Sequence, residues 1–148
     1  MIFGNFDFKR MLVNTLGINL IGNLVNIVMA ILFALFINEI ARPKFKSFVQ
    51  TVTYMPHFIS WVVFGGIVIP LLSGDGGLFN QILLKLGVIS QPVVFMAEPK
   101  YFWAIAIISN LVKELGWSTI LYTAAISGVD QELYEAADLD GAGRLQKM

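Results

Sequence analysis

Hydrophobic positions fall into three long blocks, and short polar clusters separate them. The first block covers residues 11–37 approximately and contains no charged side chain. About 27 helical residues at a rise of about 1.5 Å each are long enough to cross a hydrocarbon core of about 30 Å. Two further blocks, at about 51–72 and about 101–127, have similar apolar character. The pattern predicts an all-α, polytopic membrane protein whose helical bundle contains three spans in one domain.

Four asparagines interrupt the first block: Asn14, Asn19, Asn23 and Asn26. Their spacing places them broadly along one side of a helix. Because amides that face lipid are costly, we expect this side to face other helices and to form interhelical hydrogen bonds. Lining a substrate path is the alternative interpretation.

The second block contains residues that interrupt a helix, namely Pro56, the pair Gly65-Gly66 and Pro70. Breakers are tolerated in membranes where neighbouring helices satisfy the backbone, so we expect a kinked span that is mostly buried in protein. His57 lies one turn inside the start of this span. We interpret it as a hydrogen-bonded histidine near the interface, and a role as a proton relay or ligand is the alternative.

The third block begins with Tyr101 and Trp103, which we interpret as an interfacial aromatic pair. Lys113 and Glu114 lie near its middle, followed by Gly116. Charges at the centre of a bilayer cost a few kcal/mol each, so these two must face a cavity, pair with a partner or mark a helix break. A functional role and a purely structural pair both stay open.

Charges between the blocks indicate an orientation. Three basic residues lie between the first two spans: Arg42, Lys44 and Lys46. The positive-inside rule makes this connection cytoplasmic, which places residues 1–10 and 73–100 outside and the tail after Ser127 inside. Lys9 and Arg10 favour the opposite orientation.

Two short segments outside the spans have helical patterns. After a turn cluster at 73–77, apolar residues recur at helical spacing over 78–87, which predicts an amphipathic helix at the outer interface. A second segment, at about 130–143, begins with Asp130 as a candidate N-cap and ends where Gly141 permits a turn. This cytoplasmic segment has small residues on part of its surface, as expected for docking on another protein.

Composition removes several classes of function. The chain of 148 residues is 57% hydrophobic and 14% charged, against about 25% charged in soluble domains. Ten basic residues balance ten acidic ones, so no net field favours nucleic acid. With no cysteine and one histidine, the sequence predicts no disulfide, no thiol catalysis and no metal site. A soluble enzyme is excluded.

The tail contains the most specific motif. Glu135-Ala136-Ala137, three residues and then Gly141 resembles the EAA motif of permease subunits of binding-protein-dependent ABC importers. The longer run Tyr-Glu-Ala-Ala-x-x-Asp-Gly-Ala at 134–142 resembles the sugar-importing, maltose-type branch. The segments at 14–16, 54–61 and 76–80 are similar to its oligosaccharide permeases, the lipoprotein-associated and aldouronate or alginate type.

The resemblance implies the type I permease fold of ABC importers, with about three of six spans present. It also implies a permease subunit that moves a sugar or oligosaccharide across the cytoplasmic membrane. The implied partners are a cytoplasmic ABC ATPase dimer, a second and different permease subunit, an extracellular or periplasmic sugar-binding protein and membrane lipid, with no nucleic acid. The chain itself would hold no cofactor, because ATP and Mg²⁺ would bind the partner ATPase.

Residue roles follow from the same resemblance. The residues implied to couple the chain to the ATPase are Glu135, Ala136, Ala137, Asp140 and Gly141. Sugars are bound by hydrogen bonds together with apolar ring contacts, so candidates for the substrate path are Asn110, Trp117, Tyr122 and Trp61. Packing or interfacial anchoring is the alternative for each aromatic residue.

Other interpretations stay open at this point. The family continues before and after this stretch, so we expect an internal fragment or a truncated, non-functional permease. A small stand-alone membrane channel or scaffold is a second hypothesis. The run from Asp138 to Arg144 is also similar to the metal motif of CDP-alcohol phosphotransferases, although that chemistry needs more aspartates than the sequence offers.

Overall fold

The structure is a computed structural model that describes residues 6–143 and Gln146. Six helices follow one another in this part of the chain: α1 Phe6–Asn38, α2 Pro43–Phe58, α3 Trp61–Leu71, α4 Leu78–Lys85, α5 Pro99–Ser127 and α6 Gln131–Leu139. The predicted all-α fold class is confirmed. By length and composition, α1 and α5 are each able to cross a membrane, and α2 with α3 form a third candidate span when taken together.

Helices α1 and α5 run parallel and form the main packing interface. Asn14 accepts a hydrogen bond of 3.1 Å from the Trp103 indole N–H, and further along both helices Gly22 lies against Ile107. Gly17 fits under the Trp103 ring so closely that a Cβ atom there would overlap it. Trp103 therefore packs on α1 near the start of α5, and its interfacial position stays a prediction.

Helix α2 runs antiparallel to α5 along the second half of α5. A Cβ atom at Gly116 would overlap the Thr53 carbonyl oxygen, so glycine permits close approach of the two backbones. Because α1 and α5 run in the same direction, the chain must cross back after the end of α1 before α5 can start beside the start of α1. Helices α2 and α3 provide that return, so together they act as a broken span rather than a loop that re-enters on one side.

The second span is broken and not simply kinked, since α2 and α3 meet at 102°. The break, which we call the elbow, lies at Ile59 and Ser60. Ser60 caps α3 by accepting a hydrogen bond of 3.3 Å from the Val63 backbone N–H. The predicted breakers do not form the elbow, because Pro56 lies in the last turn of α2 and Pro70 lies inside α3.

Three other helix boundaries differ from those expected. Helix α2 begins at Pro43, so Lys44 and Lys46 belong to its first turns and not to a loop. Helix α1 begins before residue 11 and includes Lys9 and Arg10. Helix α4 ends at Lys85, because Gly87 takes a positive φ of 70° and its neighbours close the turn.

The segment between α3 and α5, which contains α4, is ordered by hydrogen bonds of the Asn80 side chain. This side chain is 2% exposed, and its amide donates to the carbonyl oxygens of Ser73 (2.8 Å) and Val93 (2.9 Å). Its own oxygen accepts from the Val93 backbone N–H at 2.9 Å. Gly77 has no room for a Cβ atom beside Ser73. The Gly-Gly-Leu-x-Asn run at 76–80 thus ties the two ends of the loop together.

Candidate functional site

The motif-bearing helix α6 presents an open surface within the described residues, and backbone hydrogen bonds close its two ends. Asp130 occupies the N-cap position but makes no capping hydrogen bond with its side chain. At the other end Gly141 adopts a φ of 76°, and the Ala142 N–H reaches the Ala137 carbonyl oxygen at 2.9 Å. Helix α6 buries no residue, and Leu139 is 91% exposed.

The structure brings the predicted coupling residues together on this one short helix and its exit. Glu135, Ala136, Asp140 and Gly141 are exposed and Ala137 is half-buried. Two alanines allow close approach of a partner, and the exposed leucines supply apolar area. Such a surface is suited to close contact with another protein.

A cluster of charged and aromatic side chains fills the angle of the elbow. His57 Nδ1 lies 2.7 Å from Glu114 Oε2, a distance at which the imidazole donates to the carboxylate. Lys113 is 4% exposed, and its ammonium donates to the His57 carbonyl oxygen at 2.8 Å and lies 3.4 Å from Glu114 Oε1. The predicted hydrogen bonding of His57 is confirmed, and the charged pair is joined to α2.

Aromatic rings complete this cluster on both sides. The His57 ring stacks on the Trp117 indole with centroids 4.5 Å apart and planes within 4° of parallel. The Lys113 ammonium lies 5.2 Å from the centre of the Trp61 ring, within the range of a cation–π interaction. Trp117, predicted to lie in the substrate path, thus contacts the histidine at the elbow.

A polar cavity of about 370 Å³ lies between α1, α5 and the start of α3. Of the predicted substrate-path residues, Asn110 and Trp61 line it. Trp117 and Tyr122 are not among its lining residues; on α5 they lie roughly 10 and 18 Å beyond Asn110 at 1.5 Å per residue. The cavity combines amide groups with an indole face, which is the combination that binds sugars.

Asparagines of α1 divide between two roles. Asn14 makes the interhelical hydrogen bond expected of all four, whereas Asn19 and Asn23 line the polar cavity. The Asn19 amide donates to the Thr15 carbonyl oxygen of its own helix at 2.7 Å. The sequence favoured interhelical bonding for Asn19 and Asn23 and kept a path role as the alternative. The sequence offers no signal that reverses this order, because helical phase defines a face of α1 and not the helix that covers it.

An apolar cavity of about 660 Å³ opens between α3 and the first half of α5. Phe64, Val68 and Val112 are among its lining residues. Its walls carry almost no polar atoms, so lipid or another helix would fill it. Within the part of the chain that the structure describes, no group of three or more carboxylate or imidazole side chains is arranged to hold a metal ion, which gives no support to the phosphotransferase hypothesis.

Residues 26–148 match the family described as the inner membrane component of binding-protein-dependent transport systems. The chain belongs to this family. The match includes α2 to α6, and therefore both the elbow and the motif-bearing helix. The family assignment that the EAA motif predicted is confirmed.

Relatives of this chain include a permease protein of a polysaccharide transport system. The chain is 41% identical over 147 residues to the polygalacturonan/rhamnogalacturonan transport system permease protein YteP of Bacillus subtilis strain 168, covering 99% of this chain and 45% of that protein. It is 36% identical over 146 residues to protein LplB of the same organism, with the same coverage. The chain thus spans about half the length of the curated relatives it matches.

Solved structures agree with this assignment. A bacterial ABC transporter involved in the import of the acidic polysaccharide alginate contains a chain that matches with a TM-score of 0.91 and 40% identity, covering 98% of this chain and 50% of that one. A second structure of a bacterial alginate ABC transporter, in complex with an alginate pentasaccharide-bound periplasmic protein, matches equally well. The type I permease fold is therefore confirmed for this segment.

Proposed function

We propose that this chain is the part of a permease subunit that couples an ATP-driven importer to its ATPase and carries a sugar or oligosaccharide across the cytoplasmic membrane. The observation that carries the proposal is α6, a short helix with the EAA motif that buries no residue and ends at a glycine with positive φ. A helix that buries no residue against the described part of the chain is suited to a partner that covers it, and we call α6 the coupling helix.

The partner of α6 in this proposal is a cytoplasmic ABC ATPase dimer, which binds ATP and Mg²⁺ and performs the hydrolysis. Glu135, Ala136, Ala137, Asp140 and Gly141 would form the contact. A second, different permease subunit would complete the pathway, and an external sugar-binding protein would deliver the substrate. The periplasmic binding protein present in the alginate transporter complex supports the last partner.

The proposed orientation places α6 in the cytoplasm and the loop around Asn80 outside. Lys44 and Lys46 lie in the first turns of α2, where positive charge opposes the helix dipole. The two lysines therefore do not stabilise the start of α2, whereas a cytoplasmic location of this end agrees with the positive-inside rule. Because α1 and α5 run parallel, the ends of both helices near α2 and α6 would share the cytoplasmic side.

The substrate path would pass the polar cavity. Asn110, Asn19 and Asn23 offer amide donors and acceptors, and the Trp61 ring, 53% exposed, offers an apolar face. In this proposal Trp117 and Tyr122 lie outside the path, and Trp117 acts by stacking on the His57 ring. Closure of the ATPases would move α6 and α5, and the cavity would open alternately to the two sides.

A reconstitution tests the proposal. The permease that carries this sequence is placed in liposomes with its ATPase, its second permease subunit and its binding protein. Uptake of labelled oligogalacturonides is then measured and compared with uptake of neutral maltodextrins. We expect uptake that requires ATP and the binding protein. Uptake that persists without ATP, or none with any sugar, would contradict it.

A further inference from the structure

Lys113 and Glu114 are charged side chains in the middle of α5. Neither belongs to the coupling residues of α6. We propose that His57, Lys113 and Glu114 form a latch, the elbow latch, through which movement of α6 reaches the wall of the polar cavity. The inference rests on the proposed function and assigns positioning roles to these three residues.

The latch closes on a backbone group that the elbow leaves free. A helix leaves its last carbonyl oxygens without intrahelical partners. Helix α2 stops at Phe58, and the next N–H, from Ile59, bonds to the Pro56 carbonyl oxygen at 3.2 Å. The His57 carbonyl oxygen accepts from the Lys113 ammonium instead. A cation at the negative end of a helix is also favoured by the helix dipole.

Glu114 completes the latch from the neighbouring position. Its two oxygens divide between the His57 imidazole at 2.7 Å and the Lys113 ammonium at 3.4 Å. One residue of α2 is thus held through both its backbone and its side chain by two consecutive residues of α5. The ammonium and carboxylate compensate each other's charge, so the cluster can lie inside a membrane at a tolerable cost.

The latch lies on a short physical path between the two candidate sites. Only residues 128–130 separate α5 from α6, so a displacement of α6 acts directly on α5. Trp61, the first residue of α3, lies 5.2 Å from the Lys113 ammonium and lines the polar cavity. A shift of α5 that moves Lys113 therefore moves the elbow and one wall of the cavity together.

Two conservative variants test the latch in the reconstituted transporter. Glu114→Gln keeps the size of the side chain and removes its charge, and His57→Gln keeps a hydrogen-bonding group. We expect sugar transported per ATP hydrolysed to fall about two- to thirtyfold in each variant, while ATP hydrolysis per assembled transporter stays near the wild-type level. Ser127→Ala is the matched control, because its hydroxyl bonds only to the Thr123 carbonyl oxygen of its own helix.

A double-variant cycle distinguishes a latch formed by His57 and Glu114 together from independent defects at the two positions. If His57 and Glu114 act as one unit, the variant carrying both substitutions loses no more coupling than either alone. Additive losses, an unchanged ratio of transport to hydrolysis, or a parallel fall in both activities would each overturn the inference. Failure of the wild-type transporter to import any sugar would overturn the proposed function itself, which is a distinguishable result.

Discussion

The elbow and the coupling helix are opposites in how they use their contacts. At the elbow, three polar residues satisfy one another across two helices, and two indole rings cover them. Helix α6 carries the motif that identifies the family, yet it has no buried residue and is held mainly by its own backbone. The family motif thus lies on a helix that buries no residue. The elbow holds two helices together, and no short sequence motif marks it.

The two regions should therefore fail in different ways. A change at the elbow acts within the chain, because the lost partner is a residue of the same molecule. A change in α6 acts between molecules, because the described part of the chain offers it little support. Stability measurements should respond to the elbow, and measurements of association should respond to α6.

The largest effect is expected at Gly116, beside the elbow. In Gly116→Leu the new Cβ would meet the Thr53 carbonyl oxygen, so α2 and α5 must separate, at a cost of about 3 kcal/mol or more. We expect little folded permease in detergent by size-exclusion chromatography. Gly66→Leu is the matched control, since no atom lies within 4 Å of a Cβ there. Equal yields of both variants would contradict the close packing of α2 on α5.

A smaller effect is expected from removing one charge of the latch. Glu114→Leu leaves the Lys113 ammonium buried without its carboxylate and should lower stability by about 3 kcal/mol. Replacing Lys113 and Glu114 together by Leu removes both charges and should cost less than the single change. Thermal unfolding of the purified transporter measures both. A double variant less stable than Glu114→Leu would show that the pair is not mutually compensating.

In α6, Gly141→Val should disturb the exit of the helix and leave the rest of the chain intact. A branched side chain at a φ of 76° costs about 1–2 kcal/mol locally. We expect loss of co-purification with the ATPase, while the unfolding temperature of the permease stays the same. Gly143→Val is the control, because Gly143 is not among the glycines with positive φ. Loss of ATPase from both variants would point to general crowding and not to the turn.

The smallest effect on stability is expected from Leu139→Ser, at a side chain that touches almost nothing. The variant should unfold at the wild-type temperature, since Leu139 is 91% exposed and buries little apolar area against the described residues. Association with the ATPase, measured by retention on an immobilised permease, should weaken. Unchanged retention would remove Leu139 from the docking surface.

The sequence was sufficient for α1 and α5, because long apolar blocks with few charges are typical of membrane-spanning helices. It also located α6, where a glycine and a short motif mark the helix end. The sequence predicted a kinked span but not the position of the elbow, because the proline and glycine breakers lie away from Ser60, whose capping hydrogen bond starts α3 just after α2 ends. Prolines inside membrane helices do not have to break them.

The partners of Lys113 and Trp103 could not be predicted from spacing. Lys113 meets a carbonyl oxygen 56 residues earlier in the chain, and Trp103 meets Asn14, 89 residues earlier. Such pairs depend on the parallel packing of α1 with α5 and the antiparallel return of α2. Periodicity reports the face of a helix, and it does not report which helix covers that face.

A cross-link from α6 to the ATPase tests the coupling role most directly. The substitution Ala137→Cys, made in a transporter whose other cysteines have been replaced, provides one thiol for a benzophenone label; this chain has no cysteine of its own. A cysteine at Leu86, exposed at the end of α4, serves as the control. We expect a cross-link to the ATPase from position 137 and none from position 86. A label at 137 that never reaches the ATPase, or one that reaches it equally from 86, would contradict the assignment of α6 as the coupling helix.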